Sequence, residues 1–477
     1  MKTWVFLLAI GAMARSASAQ RPMTADDVLA LKQVNDAQIS PDGKWVAYVV
    51  SAANLTDNAV NSDVWLVPSA GGEPIRLTTN PKADGSPRWS PDGKWIAFIS
   101  SREERPQIWL IRPNGGEAEK LTDSKTPVQT FQWSPDGKRI AYIAPRPATP
   151  EEEKKEKQKD DAIVVDQDFR FSWLWTIDLE SKKATQLVSG DFQVSDPQWS
   201  PDGTRIAYTV NPTPKADDGS RSDIYVVASS GGTPQKLLEN PGPDNAPRWS
   251  PDGRWIAFSS RSENLHTVGQ AALKVISADG GTPRVVAPKF LYQAGPVTWS
   301  ADGKTLFFTA STRTTSQLYS VPAAGGEPRA LSKIDGVMSG ATFSDDFRTA
   351  AFTMSSVQRP NDVYVTRDLA KFEPVKLTDH NPQLQGLALG RGEVIRWKSK
   401  DGMEVEGVLI YPANYEPGRR YPTMAFIHGG PSGVWTQGFP SNWGNYGHVW
   451  AGQGWVSFYP NVRGSSGYGE KFLRANV

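Results

Sequence analysis

The sequence predicts an all-β, seven-bladed propeller followed by the opening part of an α/β domain. Three observations carry this. A ten-residue motif, seen as Trp89-Ser90-Pro91-Asp92-Gly93-Lys94-Trp95-Ile96-Ala97-Phe98, recurs at Ile39, Trp89, Trp133, Trp199, Trp249, Trp299 and Phe343, in steps of 44 to 66 residues. Each copy is followed by a second apolar hairpin, so one unit holds four strands. After about Gly386 the texture changes to apolar strands that end in glycine-rich loops. Four-stranded units at such a period read as propeller blades, and strands separated by helical stretches read as α/β. An open β-solenoid is the competing reading, but solenoid turns are shorter and seven units suit ring closure.

Met23 to Leu31 reads as a short helix, with Thr24 as its cap and Asp26 and Asp27 in its first turn. The repeats follow. Ser90-Pro91-Asp92-Gly93 is turn chemistry: proline pre-sets φ, aspartate can bond nearby backbone, and glycine accepts positive φ. Trp95 to Phe98 is then a strand. The second half of each unit is a strand such as Asp63-Val64-Trp65-Leu66-Val67 or Gln107-Ile108-Trp109-Leu110-Ile111. A turn, often Gly-Gly as at Gly71-Gly72, leads to a last strand such as Pro74 to Thr78. The recurring tryptophans are packing residues between blades. Burying one ring removes roughly 150–250 Å² from water, worth about 4–6 kcal/mol as an upper bound. A platform for carbohydrate or aromatic ligands is the sharper alternative.

The longest step holds an insertion, Glu151-Glu152-Glu153-Lys154-Lys155-Glu156-Lys157-Gln158-Lys159-Asp160-Asp161. A run this charged cannot bury itself and reads as a solvated loop or helix, with a gating role as the alternative. The last two copies drift: Ala301 replaces the proline, and the seventh reads Phe343-Ser344-Asp345-Asp346-Phe347. Both are read as blades with altered turns.

Composition excludes several classes. Net charge is +1, from 52 basic and 51 acidic residues, so there is no field to attract nucleic acid. Cysteine is absent, which removes disulfides, thiolate catalysis and zinc–thiolate sites. The four histidines, His266, His380, His428 and His448, show no metal-ligand spacing, and no cofactor or metal is expected. Lys2, the apolar run Trp4 to Met13 and Ala17-Ser18-Ala19 before Gln20 read as a signal peptide over 1–19. The mature chain is expected in the periplasm or secreted, with no membrane span; a retained anchor is the alternative. The domain reading is 20–35 as an N-terminal segment, 36–385 as the propeller and 386–477 as the partial α/β domain.

In that last part, Val394 to Trp397, Val405 to Tyr411, Pro422 to Ile427 and Trp455 to Tyr459 read as strands. The third ends in His428-Gly429-Gly430-Pro431, and the fourth in Asn461-Val462-Arg463-Gly464-Ser465-Ser466-Gly467-Tyr468-Gly469. A strand ending in His-Gly-Gly is where α/β hydrolases place an oxyanion donor. Glycine lets the backbone approach a reacting carbonyl, so that an N–H can meet the developing charge. His428, Gly429 and Gly430 are the candidate oxyanion-loop residues; an ordinary tight loop after a buried strand is the bland alternative.

Taken together, Ser-Pro-Asp-Gly repeats, His428-Gly429-Gly430-Pro431 and Asn461 to Gly469 resemble the prolyl oligopeptidase family of serine peptidases, its acylaminoacyl and dipeptidyl peptidase branch in particular. The resemblance implies an α/β-hydrolase domain and acyl transfer on short peptides, with the propeller gating access. It places the His428 to Gly430 loop beside the oxyanion and the Arg463-Gly464 loop on the same face. An acid pair for a substrate's amino terminus is expected on the propeller, with Glu152-Glu153 as a candidate. The sequence departs from the family in one respect. No serine has glycine at both −2 and +2, and no histidine follows His448, so nucleophile, acid and base are missing. A polypeptide that stops before the nucleophile elbow, without turnover, is expected. The alternative function is a binding module resembling the periplasmic propeller of the Tol system, which carries similar repeats. Oligomeric state is left open.

Overall fold

The structure, a computed structural model, describes residues 20–160, 162–261, 269–430, 432–442 and 444–475. The signal peptide expected over 1–19 lies outside the described residues. So do Asp161, at the end of the charge run, and Pro431.

Between Gln33 and Lys376 the chain makes seven four-stranded antiparallel sheets, each built from strands consecutive in sequence. Their spans are Gln33–Arg76, Asp84–Lys120, Thr130–Val188, Gln193–Lys236, Asp244–Val285, Thr298–Ala330 and Val337–Lys376. The inner strand of the first sheet therefore begins at Gln33, inside the segment read from sequence as preceding the propeller. The outer strands are short except in the third sheet, where Ala184–Val188 runs five residues; Ile75–Arg76 pairs for two residues where a five-residue strand was expected.

The repeat motif works as a closed hydrogen-bond unit. Ser90 Oγ donates to Asp92 Oδ1 at 2.6 Å and accepts from Trp95 N at 3.0 Å, while Lys94 N donates to Asp92 Oδ1 at 3.1 Å. The same serine–aspartate bond recurs at Ser40, Ser134, Ser200, Ser250, Ser300 and Ser344. The drifted copies keep it, because the proline they lose contributes no donor. The turn needs a left-handed residue: Gly93 sits at φ +68°, and Phe347 takes that place in the seventh copy at φ +53°. Phe347 stacks on Phe307 and Phe343, 5.7 and 5.3 Å away, and those contacts offset the backbone cost.

The tryptophans do more than fill space. The indole N–H of Trp89, Trp133, Trp199, Trp249 and Trp299 donates to a backbone carbonyl of the preceding sheet, on Gln38, Arg88, Gln132, Gln198 and Arg248 respectively, at 2.9–3.2 Å. This uses the ring's apolar body and its polar handle together. The seventh copy has Phe343 instead. On the other flank of that sheet, facing the first, the bridge is Thr342, whose Oγ1 donates to Ala37 O at 3.1 Å and accepts from Ile39 N at 3.1 Å. Val34, Ile39, Val46 and Tyr48 of the first sheet share one core with Ala351, Val363 and Val365 of the last.

Five inner strands carry a bulge with a left-handed residue, at Asp36, Ser86, Asp196, Ala246 and Gly340. The sixth inner strand differs: it is reduced to Thr298–Trp299.

The insertion in the third sheet forms the helix Pro150–Lys157, with no buried residue. The N-terminal segment forms the helix Ala25–Leu29, capped by Thr24 and Asp27 as its residues suggest. Beside it Arg21-Pro22 pairs in parallel with Leu387-Ala388, tying the start of the described chain to the segment after the sheets. The rest holds a mixed sheet, ordered Gly392–Lys398, Glu404–Ile410, Val456–Asn461, Thr423–Ala425, a two-stranded pair Ser441–Asn442 with Asn445–Tyr446, and the short helix Glu470–Leu473. The last pair of the mixed sheet is parallel, and the helix Gly447–Gly452 lies between its strands in sequence. Among the described residues no helix is long and apolar enough to cross a membrane.

Candidate active site

The two parallel strands, Thr423–Ala425 and Val456–Asn461, end side by side, and each releases a glycine-rich loop at its C-terminal end. That is where an α/β sheet presents backbone groups to a ligand. Ser466 N donates to the carbonyls of Ser432 and Gly433, each at 3.2 Å, so the loops interlock. Ser465 is fully buried; its hydroxyl donates to Val462 O at 2.6 Å and lies 2.7 Å from His428 Nε2. The other ring nitrogen, Nδ1, lies 3.3 Å from Gly429 O, so His428 is a strut between the loops.

Glycine is required at particular points. Gly430 adopts φ +127°. A Cβ on Gly433 would lie 2.7 Å from Gly429 O and 3.1 Å from His428 Nδ1, so the loop closes over a glycine only. Nothing would meet a Cβ on Gly429 within 4 Å, which leaves that backbone open to approach. Among the described residues, the N–H groups of Gly429 and Gly430 donate to no other group of the protein.

Asn461, fully buried at the end of its strand, fixes the segment beyond the first loop. Its Oδ1 accepts from Trp435 N at 2.7 Å and its Nδ2 donates to Trp435 O at 2.8 Å. Sequence reading quoted Asn461 and Ser465 as parts of a motif without seeing what they hold. The available signal was a polar residue at the mouth of an apolar strand.

Other residues singled out from sequence lie elsewhere. Arg463 turns away to pair with Asp401 at 2.6 Å. His448 is buried; its Nε2 donates to Val357 O at 2.7 Å, and burial pushes its pKa down to about 4. Glu152 is not free for a peptide's amino terminus. Both its oxygens are held by Arg146, at 2.6 and 2.7 Å, and it accepts from Thr149 N at 2.7 Å as the helix cap. The Arg146 bond, working against burial, holds its pKa down to about 2.

Comparison with known proteins speaks to the fold. Residues 59–158 and 162–317, more than half of the chain, match the family described as the Tricorn protease N-terminal beta propeller domain. Among curated proteins, a dipeptidyl-peptidase 5 of Arthroderma otae is 26% identical over 302 residues, covering 59% of this chain and 40% of that protein. One of Trichophyton equinum is 30% identical over 188 residues, covering 37% and 24%. The alignments thus span well under half the length of these curated relatives. Among solved structures, a Pyrococcus horikoshii acylaminoacyl peptidase superposes with TM-score 0.74 at 23% identity, covering 93% of this chain and 67% of that one. A structure from a study of two prolyl endopeptidases gives TM-score 0.67 at 16% identity, covering 94% and 64%. The chain belongs to the family described as the Tricorn protease N-terminal beta propeller domain, and it shares its fold with these solved peptidase structures.

Proposed function

We propose that this chain is the propeller and oxyanion side of an exported serine-type peptidase that hydrolyses short peptides by acyl transfer. In this reading the seven sheets are the blades of one closed propeller that gates access. The segment from 386 is the N-terminal part of an α/β-hydrolase domain. The observation that carries the reading is the meeting of the two glycine-rich loops at the ends of adjacent parallel strands, joined through His428 and Ser465. The backbone N–H groups of Gly429 and Gly430 would face the oxygen of a tetrahedral intermediate, where charge develops. A serine would attack the peptide carbonyl, a histidine would take its proton and return it to the leaving amine, and water would release the acyl group. None of those three steps falls to a residue described here. His428 is committed to Ser465 and His448 to Val357, and no serine in the 477 residues lies in Gly-x-Ser-x-Gly.

A fluorophosphonate probe tests this directly. The 477-residue polypeptide is expected to take no label and to release no product from short peptide amides. Labelling of this polypeptide would contradict the assignment of its serines. A polypeptide translated through any codons that follow Val477 is expected to supply a Gly-x-Ser-x-Gly serine and to label. If no such serine is encoded there, the binding-module reading moves ahead.

A further inference from the structure

One propeller hairpin touches the second glycine-rich loop and the segment just past the first at once. Its strands, Thr305–Thr312 and Thr315–Pro322 of the sixth sheet, pair up to Thr312 and Thr315, leaving Arg313-Thr314 as the tip. Arg313 sits at φ +56°, in the left-handed region such a tight turn demands. Its N–H donates to Gly467 O at 2.9 Å, in the second loop. Thr314 O accepts from Gln437 N at 2.7 Å, just past the first loop, and Thr314 Oγ1 accepts from Gln437 Nε2 at 3.2 Å.

The Arg313 side chain continues inward. Nη2 donates to Glu406 Oε2 at 2.7 Å and to Glu404 Oε1 at 3.0 Å, and the guanidinium lies 5.5 Å from the centre of the Tyr468 ring. Glu406, on the strand Glu404–Ile410, is fully buried. It also accepts from Arg396 Nε at 3.0 Å and, through Oε1, from the Tyr468 hydroxyl at 2.8 Å. Burial alone would raise the Glu406 pKa; the bonds from Arg313, Tyr468 and Arg396 outweigh it and keep the carboxyl ionised. The Tyr468 oxygen in turn accepts from Asn461 Nδ2 at 2.9 Å, and Asn461 is the residue that grips Trp435. Both Glu406 oxygens are held, and the one loose point at the head of the network is Arg313 Nε, buried without a hydrogen-bond partner among the described residues.

We infer that Arg313 is a positioning residue: docking of the propeller, passed through Glu406, Tyr468 and Asn461, sets the conformation of the two glycine-rich loops. Its meaning for catalysis rests on the proposed function above; the coupling itself does not. Arginine suits the place because one end of its planar guanidinium, Nη2, reaches two carboxylates while its face meets an aromatic ring. Removing it leaves Glu406 buried with half its cationic partners, a disruption felt first along the chain of bonds that ends at Trp435.

Hydrogen–deuterium exchange on the 477-residue chain tests this. In R313M the backbone amides within 427–438 and 461–468 are expected to exchange about tenfold faster, while strands Ile96–Ser100 and Gln107–Ile111 of the second sheet keep their rates. E406Q, which keeps the side-chain shape, is expected to loosen the same two stretches. R313K, which keeps the charge but not the fork, is expected to fall between R313M and the parent. Unchanged loops in R313M overturn the inference, and so does acceleration spread evenly over the second sheet in all three variants. The readout needs no turnover. A negative result with the serine probe therefore leaves it standing, and a negative result here leaves the probe experiment to judge the peptidase reading.

Discussion

At the residue scale, the serine of each repeat is the centre of its turn. Ser90 Oγ both donates to Asp92 and receives Trp95 N, so Ser90→Ala removes two bonds and leaves a strand N–H without its partner. A loss of about 1–2 kcal/mol is expected in urea denaturation, and the same loss for Ser250→Ala, whose bonds are alike. A change within experimental error at both positions would show the bonds to be ornamental. Much of this was legible in the sequence: the Ser-Pro-Asp-Gly pattern announces a turn, and glycine announces the left-handed residue. What was not legible is that Phe347 would take the glycine's place, because only its stacking on Phe307 and Phe343 makes that tolerable. Glu406 was overlooked for a similar reason. It sits in Val405-Glu406-Gly407-Val408, and a carboxylate inside an apolar strand was the available sign of a buried network.

At the element scale, the inner strands differ in how they hold a buried aspartate. Asp84 opens the second inner strand and meets Arg102 at 2.9 Å. Asp244 opens the fifth, fully buried, and receives Asn240 Nδ2 at 3.0 Å on one oxygen; its Oδ2 has no partner among the described residues. Burial raises the Asp244 pKa to about 6, with Asn240 and Ser260, and more weakly Lys274, pulling it back and Asp223 adding to the rise. The folded pKa exceeds the unfolded one, so the folded state binds more protons between the two. Stability is then fully present below about pH 4 and falls as pH rises through 6, by about 3 kcal/mol at most. Asp244→Asn is expected to flatten this stretch of the stability–pH curve in urea denaturation at pH 4 to 7. Identical slopes in variant and parent would exclude Asp244 as the source. The bulges that shape these strands escaped sequence reading. In Asp36-Ala37, Ser86-Pro87, Asp196-Pro197 and Ala246-Pro247 the left-handed position is aspartate twice, serine once and alanine once, so no single residue marks it. The reduced sixth strand was foreshadowed only by the drift at Ala301.

At the scale of the whole molecule, the repeat count read from the sequence matches the number of sheets, because each motif is one turn between the first two strands of one sheet. The seam between first and last was invisible, since it depends on partners about 300 residues apart. There Thr342 makes two bonds that an indole makes once elsewhere. Thr342→Val keeps the volume and removes both. It is expected to cost about 1–3 kcal/mol in thermal or urea unfolding, because Ile39 N is left facing apolar neighbours. Equal stability of variant and parent would mean the seam is held by packing alone.

The indole bonds of the five repeat tryptophans all point the same way round. Each of these reaches back to a sheet that precedes it in the chain. Translation delivers the sheets in that order. A newly emerged sheet therefore finds its acceptor already in place on its predecessor, and growth can proceed without holding a site open for residues not yet made. The exception is the first sheet, whose free flank must wait for Thr342. Until then Val34, Ile39 and Val46 have no cover from the last sheet, and the ribosome-bound intermediate carries a sticky edge whose lifetime is the time needed to synthesise the remaining six sheets.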